Sequence, residues 1–141
     1  MRADSALLAE IQEEASLAGA AHIYPPELYP FPRASVQERW AAFDGWTVVE
    51  RNGFAAVVDG WLEALYVRPA AWGTGLADRL HDAAVAELRR RGTERARLWV
   101  LELNPRPRRF YERHGWRPDG TSRVVEFAPN PIYLGYELLF E

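Results

Sequence analysis

Residues 67–77 read Val67-Arg68-Pro69-Ala70-Ala71-Trp72-Gly73-Thr74-Gly75-Leu76-Ala77, and they lead from an apolar stretch through two glycines into an amphipathic segment. Glycine adopts the positive φ angles of a tight turn without strain, and a helix that starts directly after the turn presents unpaired N–H groups and its positive dipole end. This combination is typical of a main-chain site for phosphate. The stretch therefore predicts a strand, an anion-binding turn and a helix, in that order.

Composition excludes several classes of protein. The chain has 141 residues and is 48% hydrophobic, which predicts one domain over residues 1–141. It has neither a membrane-spanning apolar run nor a secretory signal pattern, so we expect a cytoplasmic protein with no membrane partner. The net charge of −3 argues against nucleic acid as a partner. Cysteine and lysine are absent, which excludes a thiolate zinc site, an acyl-cysteine intermediate and a Schiff base.

The first half of the chain predicts two helices followed by a meander of strands. Apolar residues recur at helical spacing from about residue 5 to 18, and again up to Phe43 after a Ser35/Glu38 capping-box pattern. Strands are expected at 46–51, 54–58 and 61–67, with tight turns at Asn52-Gly53 and Asp59-Gly60.

The second half predicts a parallel crossover and a final pair of strands. The helix after the two glycines is expected to end near Gly92, and alternating residues predict a strand from Arg95 to Leu101. A strand, helix and strand of this length form a right-handed crossover. A short helix carrying Tyr111 then stops at Gly115, and strands follow at 116–127 and 132–140.

Two motifs in this order resemble the GNAT superfamily of acyl-CoA-dependent N-acetyltransferases. Residues 65–77 are similar to its pyrophosphate-binding motif, and residues 104–116 are similar to its second motif. The resemblance implies an α+β fold of three α/β layers, with a central mixed twisted sheet flanked by helices. The chain departs from the family twice, because Trp72 stands where Arg or Gln is usual and only residues 1–3 precede the first helix. The family's first strand is therefore expected to be missing or truncated.

The resemblance also implies a binding site for acetyl-CoA and no metal. The strand at 61–67 would splay from the strand at 95–101 and offer main-chain groups to the amide-bearing arm of the cosubstrate. Trp72 would cover the adenosine or simply pack on the surface, and Asn104 would face the arm or act only as a turn residue. The implied cofactor-binding residues are Leu65, Tyr66, Val67, Trp72, Gly73, Thr74, Gly75, Leu76, Ala77 and Asn104.

Tyr111 and Glu63 are the candidate catalytic residues. A phenol can protonate the thiolate that leaves when an amine attacks the thioester, although a core tyrosine beside Phe110 is the alternative. Glu63 can accept the proton of the amine if regular alternation places it on one strand face with Leu65 and Val67. The alternative for Glu63 is a solvent-facing carboxylate.

The acceptor is expected to be a primary amine of a small molecule or peptide, and a homodimer is left open. In the family the loop between the first two helices borders the acceptor site, and in this chain that loop contains His22, Tyr24 and Tyr29. A purely structural loop is the alternative. His81 and His114 lack partners at metal-ligand spacing and are given no site role. Two other functions stay open: a non-catalytic acyl-CoA-binding or sensory module, and a nucleotide- or phosphosugar-binding enzyme that uses the glycine turn alone.

Overall fold

The elements alternate in the order that places the glycine turn at the end of a central strand. The computed structural model describes residues 4–126 and 128–140 and contains, within them, four α-helices and six β-strands. They are α1 (Ser5–Gly19), α2 (Arg33–Ala42), β1 (Trp46–Glu50), β2 (Gly53–Val58), β3 (Trp61–Val67), α3 (Leu76–Arg90), β4 (Arg95–Leu101), α4 (Pro105–Arg113), β5 (Arg117–Val124) and β6 (Ile132–Leu139). The predicted missing first strand concerns residues 1–3, which lie outside the described residues.

The sheet is mixed, as predicted. Its strand order is β1-β2-β3-β4-β6-β5. β3 and β4 are parallel and are joined through α3, whereas each other neighbouring pair is antiparallel. The meander, the parallel connection of β3 to β4 through α3 and the bounds of β4 are therefore confirmed.

Helices cover both faces of the sheet. On one face the buried stripe of α3, which includes Leu80 and Leu88, packs with Leu98 of β4 and with Tyr111 of α4. On the other face Ile11 of α1 and Trp40 of α2 form a second cluster. The result is the predicted three-layer α/β arrangement.

The capping-box prediction for α2 is wrong. The helix starts at Arg33, two residues before Ser35, and Pro32 is its N-cap residue without a side-chain cap. The Ser35 hydroxyl donates to the Pro32 carbonyl oxygen at 3.1 Å, so Ser35 lies inside the first turn.

The turn between β1 and β2 is also one residue earlier than predicted. Glu50 pairs with Gly53, which leaves Arg51 and Asn52 as the two-residue loop. Gly53 belongs to β2, where an added Cβ would lie 2.9 Å from Leu80 Cδ1. This glycine therefore allows close packing of α3 instead of a positive φ. The second turn matches the prediction, because Asp59 has a φ of 52°.

In the part of the chain that is described, no helix is both long enough and apolar enough to cross a membrane.

Candidate acyl-CoA site

The site is built around a gap between β3 and β4. Their registered pairing is limited to Trp61 opposite Arg97. The Arg68 N–H donates to Asn52 on the β2 side at 2.7 Å, and main-chain groups alternate in direction along a strand. The N–H and C=O groups of Leu65 and Val67 therefore point away from β2, toward the gap. This is the divergence that the family resemblance implied.

The glycine turn lies at the end of β3. Gly73 and Gly75 have φ angles of 79° and 86°, and neither would bring an added Cβ within 4 Å of another residue. Gly75 is the N-cap of α3 and offers no side-chain cap, while the Thr74 hydroxyl accepts weakly from the Leu76 N–H at 3.4 Å. The first turn of α3 thus keeps N–H donors available to an anion, beside an open, strain-free loop.

Trp72 is bonded to the end of β3. Its indole Nε1–H donates to the Val67 carbonyl oxygen at 2.9 Å, and the ring is half-buried. The guanidinium carbon of Arg106, in the first turn of α4, lies 3.6 Å from the centre of the Trp72 ring. The Val67 carbonyl is therefore already paired within the chain, and Leu65 with the Val67 N–H remain for a ligand.

Tyr111 is buried and packs against two aromatic rings. Its side chain is 9% exposed and makes edge contacts with Phe110 and Trp116, with ring centroids 5.3 Å and 6.0 Å away. Burial raises the pKa of Tyr111, and the nearby Tyr66 phenol raises it further. Among residues 4–126 and 128–140 the Tyr111 hydroxyl has no hydrogen-bond partner.

Glu63 does not lie on the face that regular alternation predicts. Ala64 pairs with Ala56 and Leu62 with Val57, which leaves Glu63 as the extra residue of a β-bulge. A bulge re-aims a side chain. The Glu63 carboxylate meets the guanidinium of Arg39, on α2, at 2.7 Å, whereas Leu65 and Val67 pack in the cluster under α3. The prediction of a shared face is therefore wrong.

The loop between α1 and α2 reaches the same end of the sheet. His22 Nε2 donates to the Leu103 carbonyl oxygen at 2.7 Å, which ties the loop to the turn before α4. Tyr24 makes an edge contact with Tyr29 at 6.4 Å, and burial raises the pKa of Tyr24 to about 12. His22 therefore has a structural bond, next to a pair of phenol rings.

Asn104 and Tyr66 occupy different sides of the gap. Asn104 is the N-cap residue of α4, and its side chain makes no capping hydrogen bond. The Tyr66 ring packs on Phe54 in the cluster below α1 and α2, and burial raises its pKa to about 12. Asn104 thus keeps its amide available, whereas the Tyr66 ring belongs to the core.

Sequence reasoning missed a ladder of rings and guanidinium groups on the sheet face opposite α3. Trp61 and Trp99 stack at 5.8 Å, with Arg97 over Trp61 at 4.7 Å. Arg123 lies over Trp99 at 5.0 Å and over Tyr133 at 5.3 Å. The alternation of Arg97 and Trp99 was the signal for it, but only the sheet order brings the other three residues beside them.

The sequence also did not predict a pair of histidines between α3 and the end of α4. The His81 and His114 rings are tilted by 33° with their centroids 4.0 Å apart, and with Asp82 they offer three ligand atoms within 4.8 Å of one another. Trp116 Nε1–H, however, donates to His81 Nε2 at 3.0 Å. An indole nitrogen can only donate, so His81 carries its proton on Nδ1, facing Asp82 at 3.0 Å. With this hydrogen bond in place, Nδ1 is a donor to a carboxylate and not a metal ligand.

Comparisons with known proteins identify the family. The model of the acetyltransferase (GNAT) family matches residues 3–116, and the chain belongs to this family. The predicted membership is confirmed, and acetyl transfer is the activity that the family indicates.

Individual relatives match this chain over different shares of their own length. A mycothiol acetyltransferase of Beutenbergia cavernae is 35% identical over 83 residues, which is 52% of this chain but only 28% of that protein. A GCN5-related N-acetyltransferase structure from Rhodopseudomonas palustris has a TM-score of 0.78 at 18% identity, over 97% of this chain and 90% of the other. The structure of the PaiA N-acetyltransferase of Thermoplasma acidophilum, in complex with coenzyme A, has a TM-score of 0.64 at 17% identity. The match covers 97% of this chain and 93% of the other. At these identities the two structures show a shared fold.

Proposed function

We propose that the protein transfers an acetyl group from acetyl-CoA directly to a primary amine of a small molecule or peptide. The observation that carries this proposal is the gap between β3 and β4, which ends at the glycine turn. Leu65 and Val67 direct main-chain groups into the gap, and Gly73 and Gly75 are open at its end. A strand edge that continues into a helix N-terminus suits a ligand with an amide arm and a diphosphate.

Tyr111 is the proposed general acid. As the amine nitrogen bonds to the acetyl carbon and the carbon–sulfur bond breaks, the Tyr111 hydroxyl donates its proton toward the leaving sulfur. The raised pKa of Tyr111 keeps this hydroxyl protonated at neutral pH. No residue needs to carry the acetyl group, because both substrates bind together.

Glu63 is the proposed acceptor of the amine proton, directly or through water. Its bond with Arg39 fixes the carboxylate at the bulge in β3, near the point where the strands separate. An alkyl ammonium must lose a proton before it attacks, and a positioned carboxylate can start that transfer. His22, Tyr24 and Tyr29 are the proposed border of the acceptor site.

A non-catalytic acyl-CoA-binding module is the second candidate. The Arg39–Glu63 ion pair favours it, because a carboxylate oxygen that an amine would have to reach is already bound by a guanidinium of the chain. Binding would then survive without turnover.

Ligand stabilisation followed by an amine panel separates these functions. We expect acetyl-CoA and CoA to raise the melting temperature, whereas NAD does not, and we expect thiol release with at least one amine. Binding without turnover on a broad panel supports the module. If neither acetyl-CoA nor CoA binds, both proposals are wrong.

A further inference from the structure

The glycine turn contains no positive charge of its own. Residues 72–77 are uncharged, and the next residue, Asp78, is an acid in the first turn of α3. Main-chain N–H groups alone carry only partial charge, and a diphosphate brings full negative charges to them. A nearby cation is therefore the missing part of this site.

Arg106 is the cation that the fold brings there. Its guanidinium carbon lies over the ring of Trp72, the residue directly before the turn, at 3.6 Å from the ring centre. Trp72 is itself fixed, because its indole N–H is bonded to the Val67 carbonyl oxygen. A guanidinium that stacks on an anchored ring keeps its planar N–H edge directed outward for an anion.

The charge of Arg106 is also not used within the described part of the chain. No carboxylate of residues 4–126 and 128–140 lies within ion-pair distance of it, although arginines such as Arg39, Arg68 and Arg113 are paired with acids. Arg106 is exposed, as are Gly73 and Gly75 of the turn that follows Trp72.

The acidic Asp78 does not cancel this attraction. His114 Nε2 and Arg113 Nη2 donate to Asp78 Oδ1 at 2.7 Å and 3.2 Å, and the bond with His114 lowers the pKa of Asp78. The start of α4 thus places Arg106 beside the turn, while Arg113 and His114 at its end bind the Asp78 carboxylate.

We propose that Arg106, held on the face of Trp72, binds a phosphate group of the acyl-CoA. This inference rests on the proposed function and adds to it a charged phosphate ligand from α4, with Trp72 as its support. Either the diphosphate or the 3′-phosphate of CoA supplies the same chemistry. Dephospho-CoA, which lacks the 3′-phosphate, distinguishes them.

The test is the affinity of wild type and Arg106→Ala for CoA and dephospho-CoA, measured by titration calorimetry. A charge-assisted bond of this kind predicts about 10- to 100-fold weaker binding of CoA to Arg106→Ala. Equal losses for both ligands assign Arg106 to the diphosphate, and a loss for CoA alone assigns it to the 3′-phosphate; each supports the inference. Unchanged CoA affinity in Arg106→Ala overturns it. If wild type does not bind CoA, the proposed function fails as well.

Arg89→Ala is the matched control. Arg89 is likewise exposed and stacked on a ring, that of Phe140 at 4.6 Å, but it lies at the other end of α3. We expect this variant to bind CoA like wild type, and an equal loss in both variants overturns a specific role of Arg106.

A double-mutant cycle tests the support by Trp72. If Trp72 acts by holding Arg106, Trp72→Ala weakens CoA binding less in the Arg106→Ala background than in wild type. Equal losses in the two backgrounds overturn this part of the inference.

Discussion

Tyr111 combines two properties that rarely occur together in a buried phenol. The ring is fixed between Phe110 and Trp116, and the hydroxyl has no partner among the described residues. A phenol hydroxyl without a partner can donate to a ligand without breaking a hydrogen bond within the described chain. The proposed general-acid role of Tyr111 rests on this donor, while its ring belongs to the core cluster under α3.

Tyr111→Phe is predicted to lower kcat by about 100-fold, at the low end of general-acid effects. The loss is expected at this end because burial makes the phenol a weaker acid than the thiol it serves. The phenylalanine ring keeps the packing, so CoA affinity is expected to stay unchanged. Steady-state rates with an amine from the panel, together with calorimetric titration of CoA, provide the measurement. Wild-type kcat in the variant would remove Tyr111 from the mechanism.

For single residues, the sequence predicts the position on a helix or strand better than the direction of the side chain. The positions of Tyr111 and Glu63 on their elements could be predicted, because periodicity locates each residue on a helix or strand. The direction of the Glu63 side chain could not, because the β-bulge depends on the register between β2 and β3. A register shift leaves no local sequence signal at Glu63 itself.

At the scale of elements, local patterns succeeded where packing agrees with them. The alternation of Ala96, Leu98 and Val100 gave the bounds of β4, since these side chains are the ones buried under α3. The Asn52-Gly53 turn was misplaced because Gly53 serves the approach of Leu80. The residue type alone does not distinguish a glycine that permits close packing from a glycine that permits a turn.

The contact of α3 with the segment after α4 depends on Trp116. This side chain is fully buried, and its N–H bond with His81 joins α3 to the residue that precedes β5. Trp116→Phe leaves His81 Nε2 buried without a donor. We expect a loss of about 1–3 kcal/mol in the free energy of unfolding from the unpaired acceptor, with a further loss from the smaller ring. Urea unfolding at pH 8 measures it.

Trp99→Phe is the control for this substitution. Trp99 is half-buried on the opposite face of the sheet, where it stacks on Trp61. The same change of residue type there removes no hydrogen bond to His81, so a smaller loss is expected. Equal losses at the two sites would show that the Trp116–His81 bond adds no stability.

For the whole molecule, sequence patterns predict the meander and the parallel connection of β3 to β4, and the family resemblance implies the layers. The place of β6 between β4 and β5 and the contacts that complete the site could not be predicted. Arg106 meets Trp72 across 34 positions of sequence, and His81 meets Trp116 across 35. These pairs arise because α3 and α4 pack on one face of the sheet. Local periodicity specifies each helix but not which side chains of two helices meet.

The same packing makes stability depend on pH through His81. Burial is the main cause that lowers the pKa of His81 below its ordinary value of 6.5, while the adjacent Asp82 partly opposes it and the neighbouring His114 adds to it. Between the lowered pKa and 6.5 the unfolded chain binds more protons at this residue than the folded one. The free energy of unfolding is therefore expected to fall as the pH decreases below 6.5.

His81→Gln isolates this contribution, because a glutamine oxygen can still accept from Trp116 but the side chain does not titrate. All other groups are shared, so the difference in unfolding free energy between wild type and variant should shrink or change sign as the pH is lowered from 8 to 5. Urea unfolding of both proteins across this range provides the comparison. A difference that is constant with pH would mean that His81 takes up its proton equally well in the folded and unfolded chain, which is incompatible with its burial beside Trp116 and His114.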